Sequence, residues 1–487
     1  MNYYLGIDIG TSFTKAVAFD AEGGIVASLS AGYTIQHPQP RYSEQDPVAI
    51  LDAVITLINA VTNELGTPAF ISFSAAMHSL ILIDKEGAPL TQCIIWADNR
   101  AVNEAAQLRE SERASAFYQQ TGVPIHPMSP LCKLLWFREN EPGLFQSAYK
   151  FIGIKEFVFY HLTGQYVIDS SCASATGLFD IHTLQWSNDV LQYAGIAKER
   201  LATIVPATHV IPFPAQNNRV LLQKDVSLVL GASDGALANV GSGATASHIM
   251  AVSIGTSNAA RVMVNAPVTD VQMRTFCYHV KGSQYIAGGA SNNGAVVLQW
   301  LKESILNTRE SYETLFDEAA NVPAGSDGLL FLPYILGERA PIWNAHAKGV
   351  FMGVGIQHTH AHLLRAAMEG VISVSYSIGK ILAEKKEITE IHASGGFTKT
   401  PLWVQMLADM FDRKVIVSEN GESAALGAVI VGAEALALPF MNKQVAGEVY
   451  VPVKEQHVAA LQRFQAFERL YTLLKNEFNS TLPASTE

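Results

Sequence analysis

Two copies of a short turn sequence are the residues best suited to binding a polyphosphate. Residues 7–17 read IDIGTSFTKAV and residues 252–262 read VSIGTSNAARV, so Ile-Gly-Thr-Ser occurs twice, about half the chain apart. Glycine lets the backbone approach an anion closely, while N–H groups and hydroxyls supply hydrogen-bond donors. The alternative is chance repetition of four small residues. The residues predicted to bind nucleotide phosphates are Gly10, Thr11, Ser12, Lys15, Gly255, Thr256 and Ser257.

The two copies differ in one charged position. Asp8 precedes the first turn, whereas Ser253 occupies the matching position before the second. Mg²⁺ prefers oxygen ligands and usually takes only one or two protein carboxylates together with water and substrate phosphates. Asp8 is therefore predicted as a Mg²⁺ ligand, the alternative being an ordinary turn-forming residue.

A second carboxylate, Asp234, stands between the apolar run 226–231 and a helix predicted to begin at Gly235. A side chain at the carboxyl end of a strand points into the crevice where α/β proteins bind ligands. Phosphoryl transfer to an alcohol needs a carboxylate that orients the hydroxyl and accepts its proton. Asp234 is predicted as this general base, as a substrate contact and as a second metal ligand. A helix N-cap is the alternative.

Two further segments place polar side chains among apolar ones, at 74–80 (SAAMHSL) and at 96–100 (WADNR). The indole ring of Trp96 could stack on a carbon skeleton while the Asp98 carboxylate binds hydroxyls. The side chains of His78, His126 and Arg100 could bind hydroxyls or a carboxylate. Each of these residues taken alone could equally have a structural function. The predicted substrate contacts are Met77, His78, Trp96, Asp98 and Arg100.

The elements that must position these residues indicate an α/β architecture. Apolar runs typical of strands at 3–8, 15–19 and 25–29 precede a helical pattern at 48–65, and more strands follow. Such alternation is typical of sheets covered by helices. A chain of 487 residues exceeds the usual size of one core. We predict an N-terminal domain at 1–243 and a C-terminal domain at 244–487, with the glycine-rich stretch 241–243 as a hinge.

Composition narrows the function classes. A formal net charge of -11 disfavours nucleic-acid binding. Four scattered cysteines without a C-x-x-C pair argue against a zinc site and fit a reducing compartment. The first residues lack the pattern of a secretory signal, and the apolar run 424–440 is interrupted by Glu434, which favours a buried helix. We therefore predict a cytoplasmic protein with a small-molecule substrate and neither a nucleic-acid nor a membrane partner.

Two longer segments resemble the signatures of a known family. Residues 128–140 read MSPLCKLLWFREN, with Lys133 and Trp136 at the expected places, and residues 349–369 read GVFMGVGIQHTHAHLLRAAME. Over essentially its full length the chain resembles the FGGY carbohydrate kinases. The resemblance implies two ribonuclease-H-like domains of the actin/hexokinase superfamily flanking a cleft for ATP, Mg²⁺ and sugar.

The resemblance also implies functions for individual residues. It places Asp8 and the second Gly-Thr-Ser turn in the two phosphate motifs, and Asp234 as the general base. It assigns adenosine or nucleotide contacts to Gly294, Gly395, Gly396 and Phe397. Phe397 departs from the alanine of many relatives, and without the family the Ser-Gly-Gly turn reads as an ordinary strand-to-helix loop.

Within the family, the segments around 72–81, 96–101 and 122–133 are similar to those of gluconate kinases. The expected reaction is ATP-dependent phosphorylation of D-gluconate to 6-phospho-D-gluconate. Xylulose kinases also carry a Met-His pair at the corresponding loop, so a xylulose kinase or another sugar kinase of the family is the alternative. A non-catalytic actin-like ATP-binding regulator is a third hypothesis, and assembly into a homodimer stays open.

Overall fold

The computed structural model describes residues 3–217, 219–418, 421–441 and 446–478. The chain divides into two compact units. Unit 1 consists of 1–243, 263–287 and 422–444, and unit 2 of 244–262, 288–421 and 445–487. Unit 1 therefore includes two segments from beyond the predicted domain boundary, which itself stays a prediction.

The strands of the described residues are β1 Tyr4–Ile9, β2 Phe13–Phe19, β3 Ile25–Gly32, β4 Glu44–Gln45, β5 Phe70–Ala75, β6 Ile81–Ile83, β7 Cys93–Ile94, β8 Lys150–Ile152, β9 Val167–Asp169, β10 Phe179–Asp180, β11 Gln185–Trp186, β12 Thr203–Val205, β13 Val210–Phe213, β14 Val226–Ser233, β15 Ile249–Ile254, β16 Asn258–Val264, β17 Phe276–Lys281, β18 Gln284–Ser291, β19 Leu330–Pro333, β20 Gly349–Met352, β21 Glu390–Ser394, β22 Lys414–Ser418 and β23 Ala446–Tyr450.

The α-helices of the same residues are α1 Pro47–Leu65, α2 Val102–Glu110, α3 Ala114–Thr121, α4 Pro130–Asn140, α5 Pro142–Ser147, α6 Ile154–Thr163, α7 Ser170–Ser174, α8 Asn188–Ala194, α9 Asp234–Gly241, α10 Val296–Trp300, α11 Tyr312–Ala320, α12 His360–Ala383, α13 Pro401–Phe411, α14 Ser423–Ala435 and α15 Lys454–Leu474.

The main sheet of unit 1 has the strand order β3–β2–β1–β5–β14–β13. The pairs β1/β2, β2/β3 and β13/β14 are antiparallel, while β1/β5 and β5/β14 are parallel. Strand β5 (FISFSA) is buried along its whole length. Continuous burial is typical of parallel strands whose two faces are covered by helices.

Six neighbouring strands of the second large sheet follow the same scheme, in the order β18–β16–β15–β21–β22–β23. Here β15/β16 and β22/β23 are antiparallel, and β15/β21 and β21/β22 are parallel. The predicted internal repeat is therefore confirmed. The two Gly-Thr-Ser sequences occupy the same topological place, the turn of the first hairpin in each sheet.

Helix α1 covers one face of the first sheet. Its buried residues recur at helical spacing and join the core of unit 1; they are Ile50, Leu51, Val54, Leu57, Ile58 and Val61. Among the described residues, α1 alone has the length and composition of a membrane span, with 19 residues and a mean hydropathy of 1.5. A core helix of a folded domain meets the same criteria, and the packing of α1 is of that kind.

Helix α14 packs on the other side of unit 1 at very close range, which confirms the predicted buried helix. A Cβ atom on Gly6 would lie 2.5 Å from the Ala425 oxygen, and one on Gly427 would lie 2.0 Å from the Leu237 oxygen. The small residues of α14 therefore let its backbone approach β1 and α9 directly. This explains the Ala/Gly-rich composition of the segment.

Candidate active site

Parallel strands of unit 1 bring the two predicted metal ligands to one edge of the sheet. Asp8 on β1 is in register with Ser74 on β5, and Ser233 at the end of β14 is in register with Ala75. Asp234 follows directly and opens α9. The two aspartates are close enough for the charge of Asp234 to raise the pKa of Asp8. Carboxylates at such strand ends are placed to meet a ligand.

Burial raises the pKa of Asp8 to about 6. A hydrogen bond of 2.7 Å from the Ser74 hydroxyl to Asp8 Oδ1 acts in the opposite direction. The negative charges of Asp234 and Glu422 contribute to the increase in this pKa, while the charge of Lys15 opposes it. A buried carboxylate beside other carboxylates is an environment that a cation would stabilise.

The donor set at this edge fits Mg²⁺. In the part of the chain that the structure describes, no group of three or more His, Cys, Asp or Glu side chains could hold a metal ion. Mg²⁺ does not need such a cage, because it keeps several waters and binds substrate phosphates. Asp8 and Asp234 would supply the one or two hard oxygen donors that this binding mode requires.

Asp234 is half-buried at the start of α9, and the N-cap residue of that helix is Ser233. The main-chain N–H of Gly235 donates to Asp234 Oδ1 at 2.7 Å. The end of β14 is held from below by Lys155, whose ammonium donates to the Ala232 oxygen at 2.8 Å and to Asp169 Oδ2 at 2.7 Å. The strand end that carries Asp234 is thus anchored in the core.

The first Gly-Thr-Ser turn is fixed by side chains around it. The Tyr33 hydroxyl donates to the Gly10 oxygen, and Gln45 Nε2 donates to the Thr11 oxygen at 2.6 Å. Trp96 Nε1 donates to Thr11 Oγ1 at 2.9 Å, which joins a predicted sugar contact to a predicted phosphate contact. Ser12 is exposed at the tip.

Lys15 lies opposite Asp8 in the β1/β2 hairpin. Its ammonium donates to both carboxylate oxygens of Glu422 at 3.0 Å. The side chain is 36% exposed, so its charge is partly shared with Glu422 and partly open to solvent.

The second turn is one residue shorter than the first. Ile254 pairs with Asn258, so three residues separate the strands, whereas Ile9 pairs with Thr14 across four. The residue opposite Ser253 is consequently Ala259. The charged Asp8/Lys15 pair of unit 1 is thus replaced by two small neutral residues in unit 2, which fits a single metal-associated hairpin.

Two predicted nucleotide-side glycines are required by close packing inside unit 2. A Cβ atom on Gly294 would lie 2.5 Å from the oxygens of Gly255 and Ser257, so Gly294 presses against the second turn. Gly395 has φ +104°, and its Cβ atom would lie 2.4 Å from the Ile254 oxygen. Gly396 has nothing within 4 Å of the corresponding position. Of these three glycines, Gly396 alone has open space at its Cβ position.

Gly396 and Phe397 line a pocket of about 610 Å³ that lies wholly within unit 2. Phe397 is only 1% exposed and contacts Trp403 edge-on, with ring centroids 5.8 Å apart. Thr256 of the second turn also lines the pocket. The pocket therefore joins the predicted adenosine motif to the predicted phosphate loop, and its size and mixed aromatic and polar lining suit a nucleoside. Its other lining residues include Gln299, Tyr312, Phe316, Asp317 and Lys399.

His78, in the first predicted sugar segment, adopts a left-handed backbone conformation with φ +68°. Its ring Nδ1 is 2.8 Å from the Ala175 oxygen, and its ring packs edge-on against Tyr278 at 5.9 Å. A carbonyl oxygen can only accept, so Nδ1 carries a proton and donates this hydrogen bond. Strained non-glycine backbone often occurs at functional sites. Met77 beside it is half-buried.

Asp98 and Arg100, in the second sugar segment, bind each other. Asp98 is fully buried and accepts from Ser43 N at 2.7 Å and from Arg100 Nε at 2.9 Å. Arg100 also pairs with Glu44, and its guanidinium lies 3.9 Å above the Tyr42 ring. These contacts show both residues shaping the segment that presents Trp96. Direct contact of either residue with a substrate stays a prediction.

Several residues of this site were not predicted from their own chemistry. Ser74 and Glu422 touch Asp8 and Lys15, but small or distant residues carry no sequence signal for such contacts. Lys133 was noted only as part of a signature. A lysine within the largely apolar sequence of α4 is itself a signal, because lysine is rarely fully buried unless its charge is paired.

The fold, the paired turns and the carboxylate edge together define a sugar kinase of the actin-like type. The FGGY family of carbohydrate kinases matches in both of its parts, the N-terminal domain at residues 3–241 and the C-terminal domain at 250–436. The chain belongs to the FGGY family of carbohydrate kinases.

Individual relatives cover nearly the whole chain. A gluconokinase of Bacillus subtilis (strain 168) is 41% identical over 446 residues, which is 88% of this chain and 87% of the relative. The crystal structure of gluconate kinase from Lactobacillus acidophilus has a TM-score of 0.93 at 34% identity, covering 98% of this chain and 99% of that one. The ligand-bound xylulose kinase from Lactobacillus acidophilus has a TM-score of 0.94 at 35% identity with the same coverage. Similarity thus extends to kinases of two different sugars.

Proposed function

We propose that this protein is a gluconokinase that catalyses ATP + D-gluconate → ADP + 6-phospho-D-gluconate. The observation that carries the proposal is the 41% identity to a gluconokinase over 88% of the chain. The segments 72–81 and 96–101, which resemble those of gluconate kinases, contain the predicted sugar contacts. The carboxylate edge of unit 1 and the nucleoside-sized pocket of unit 2 supply the parts that such a reaction needs.

In the proposed reaction, unit 2 binds the nucleoside and the two hairpin turns bind its phosphates. The adenosine would lie in the pocket lined by Gly396 and Phe397. N–H groups and hydroxyls of the Gly-Thr-Ser turns would stabilise charge on the transferring phosphoryl group, which is the main catalytic contribution in this chemistry.

Asp234 would act as the general base. The terminal hydroxyl oxygen of gluconate forms the new P–O bond while the bond between the γ-phosphorus and the ADP oxygen breaks, and the hydroxyl proton passes to the Asp234 carboxylate. Asp8 and Asp234 would hold Mg²⁺, which supplies neutralisation of the phosphate charge when bound.

The substrate contacts are assigned to the segments that carry His78 and Trp96. His78 Nε2 would accept from a hydroxyl or, when protonated, donate to the carboxylate of gluconate. Trp96 would pack on the carbon chain. Arg100 is 8% exposed and already binds two carboxylates, so we assign it mainly to holding Asp98 and Glu44 in place.

A xylulose kinase is the second candidate function, because the ligand-bound xylulose kinase of Lactobacillus acidophilus is as similar in structure as the gluconate kinase. The two candidates differ in the acceptor, since gluconate carries a carboxylate and xylulose does not. We place either enzyme in the cytoplasm, consistent with four free cysteines among the described residues. A homodimer stays a prediction.

The proposal is tested by identifying the product. The purified protein is incubated with Mg–ATP and, separately, D-gluconate or D-xylulose, and each product is examined by phosphorus–proton correlated NMR. The proposal expects one new phosphate ester on the terminal carbon of gluconate. A phosphate on another carbon would overturn the assigned regiochemistry, and phosphorylation of D-xylulose alone would overturn the substrate.

A further inference from the structure

Lys133 is a fully buried lysine whose ammonium binds main-chain oxygens of unit 1. It lies in the first turn of α4 and is 0% exposed. Its ammonium donates to the main-chain oxygens of His78 at 2.6 Å, Ile94 at 3.1 Å and Ile95 at 2.8 Å. An ammonium has three N–H donors, so these three carbonyls use its full capacity.

One of the three carbonyls lies in the first predicted sugar segment, and the other two directly precede the second segment, which begins at Trp96. His78 is itself a predicted sugar contact, and Ile95 directly precedes Trp96. The segments are also joined by main-chain hydrogen bonds between Leu80 and Ile94 in both directions, at 3.0 and 2.9 Å. The ammonium adds hydrogen bonds to His78, two residues before Leu80, and to Ile95, directly after Ile94.

Retaining a cation here carries a cost. Burial lowers the pKa of Lys133 to about 7, and the negative charge of Asp98 offsets part of this effect. Buried cations are normally paired directly with a carboxylate, whereas all three hydrogen bonds of Lys133 go to carbonyls. An apolar side chain would avoid the desolvation cost but would leave three buried carbonyls without this donor.

We propose that Lys133 is a positioning residue for the sugar, because its ammonium locks the His78 segment to the Trp96 segment in the geometry that receives the substrate. The inference rests on the proposed sugar-kinase function. His78 has a left-handed φ, and the bond to its carbonyl holds that conformation while the Ala175 oxygen orients its ring. Loss of the ammonium should let both segments relax, and small displacements of positioning groups are costly.

The test compares Lys133→Met and Lys133→Gln with wild type, using steady-state kinetics on whichever sugar the wild type accepts. Lys133→Met removes the donors at similar length. We expect the KM for sugar to rise roughly tenfold or more, with the KM for ATP within about twofold of wild type because the nucleotide pocket lies in unit 2. Lys133→Gln keeps two donors and should fall between Met and wild type. Unchanged KM for sugar, or equal rises for sugar and ATP, would overturn the proposal.

Leu134→Ala is the matched control for lost stability. Leu134 is the next residue of α4, is fully buried and packs in the adjoining apolar core. It should lower the Tm without changing the ratio of the two KM values. If Leu134→Ala raises the sugar KM as much as Lys133→Met does, the effect is general destabilisation and the proposal fails.

Hydrogen exchange of the wild type without sugar tests the inference independently of folding of the variants and of the substrate. The proposal expects slow exchange for amides at 76–80 and 93–100, which surround the three bound carbonyls, before any sugar is added. Fast exchange that slows only on adding sugar would contradict preorganisation by Lys133. Absence of turnover on every sugar, together with slow exchange in both segments, would contradict the proposed function and leave the positioning inference supported.

Discussion

Two aspartates that share one edge of a sheet have different environments. Asp8 is bonded by Ser74 and has its pKa raised to about 6, mainly by burial. Asp234 is half-buried and accepts a hydrogen bond from the main-chain N–H of Gly235 in the first turn of its own helix. This difference fits a metal-associated carboxylate beside a base that meets the substrate. Because both residues are aspartates, the difference arises from their surroundings.

Replacing Asp234 tests the base directly. Asp234→Ala should lower kcat by roughly 10²–10⁴, because the hydroxyl proton then has no positioned acceptor. Binding of the nucleoside should persist, since its proposed pocket lies wholly within unit 2. Steady-state kinetics with Ser233→Ala as the neighbouring control separates loss of the base from a disturbed α9. Near-normal turnover of Asp234→Ala would contradict the assignment.

Asp8 should make the stability of the metal-free protein depend on pH. Its folded pKa of about 6 lies above the ordinary value of 3.8, so folding favours the protonated form. Its favourable contribution is complete below about pH 4 and is lost as the pH rises through 6. The stability of Asp8→Asn relative to wild type should therefore increase by roughly 1–2 kcal/mol between pH 5 and pH 7.5.

Thermal unfolding with and without Mg²⁺ measures this difference. Mg²⁺ should raise the Tm of wild type at pH 7.5 more than that of Asp8→Asn, because the variant lacks one of the two proposed carboxylate ligands. If the stability difference between Asp8→Asn and wild type stays constant between pH 5 and pH 7.5, the raised pKa of Asp8 is contradicted.

At the scale of elements, the loop after β21 combines a glycine required by packing with a glycine that lines a pocket. Gly395 has a left-handed φ and no room for a side chain against β15. Gly396 lines the pocket and has open space at its Cβ position. The sequence Ser-Gly-Gly predicted a turn, but it could not tell which glycine serves which purpose.

The pair Gly395→Ala and Gly396→Ala tests this division. Gly395→Ala should lower stability by about 1–3 kcal/mol through backbone strain and a clash. Gly396→Ala should keep the wild-type Tm and raise the KM for ATP, because the methyl group enters the pocket. Calorimetry and kinetics on both variants are sufficient. A Gly396→Ala protein with unchanged KM for ATP would place the nucleoside away from this loop.

The positions of strands and hairpins could be predicted from local sequence. The length of each turn and the elements against which a helix packs could not. The β1/β2 hairpin follows from apolar alternation and a Gly-Thr-Ser turn. An ungapped comparison of the repeats would match Lys15 with Ala260, but the register places Ala259 opposite Ser253. Helix α15 begins at Lys454 with a polar, exposed first turn, so no apolar periodicity in the sequence marks its start.

At the scale of the molecule, the packing of unit 1 depends on residues from the second half of the sequence. Within this unit α14 packs on α9, β5 and β1, and a Cβ atom on Gly432 would meet the Phe70 ring at 2.3 Å. The Tyr118 hydroxyl donates to the Thr275 oxygen at 2.7 Å. Composition predicted a buried helix in this region, but no local pattern identifies a partner nearly 200 residues away.

A fragment ending at residue 243 should therefore fail to fold as unit 1. It lacks α14 and the segment 263–287, and it leaves the apolar surfaces of β1, β5 and α9 uncovered. We expect no cooperative thermal transition by near-UV circular dichroism, with the full chain as the control. A cooperative transition close to the Tm of the full chain would show that the first 243 residues form an independent domain.

The central claim, transfer of a phosphoryl group from ATP to gluconate, is tested most directly by ADP release. The purified full chain is assayed with Mg–ATP and, separately, D-gluconate, D-xylulose, glycerol or no acceptor, with Asp234→Ala as the inactive control. We predict a kcat/KM for D-gluconate that exceeds the value for every other acceptor. A preference for D-xylulose or glycerol, or no acceptor-dependent ADP release at all, would contradict the claim.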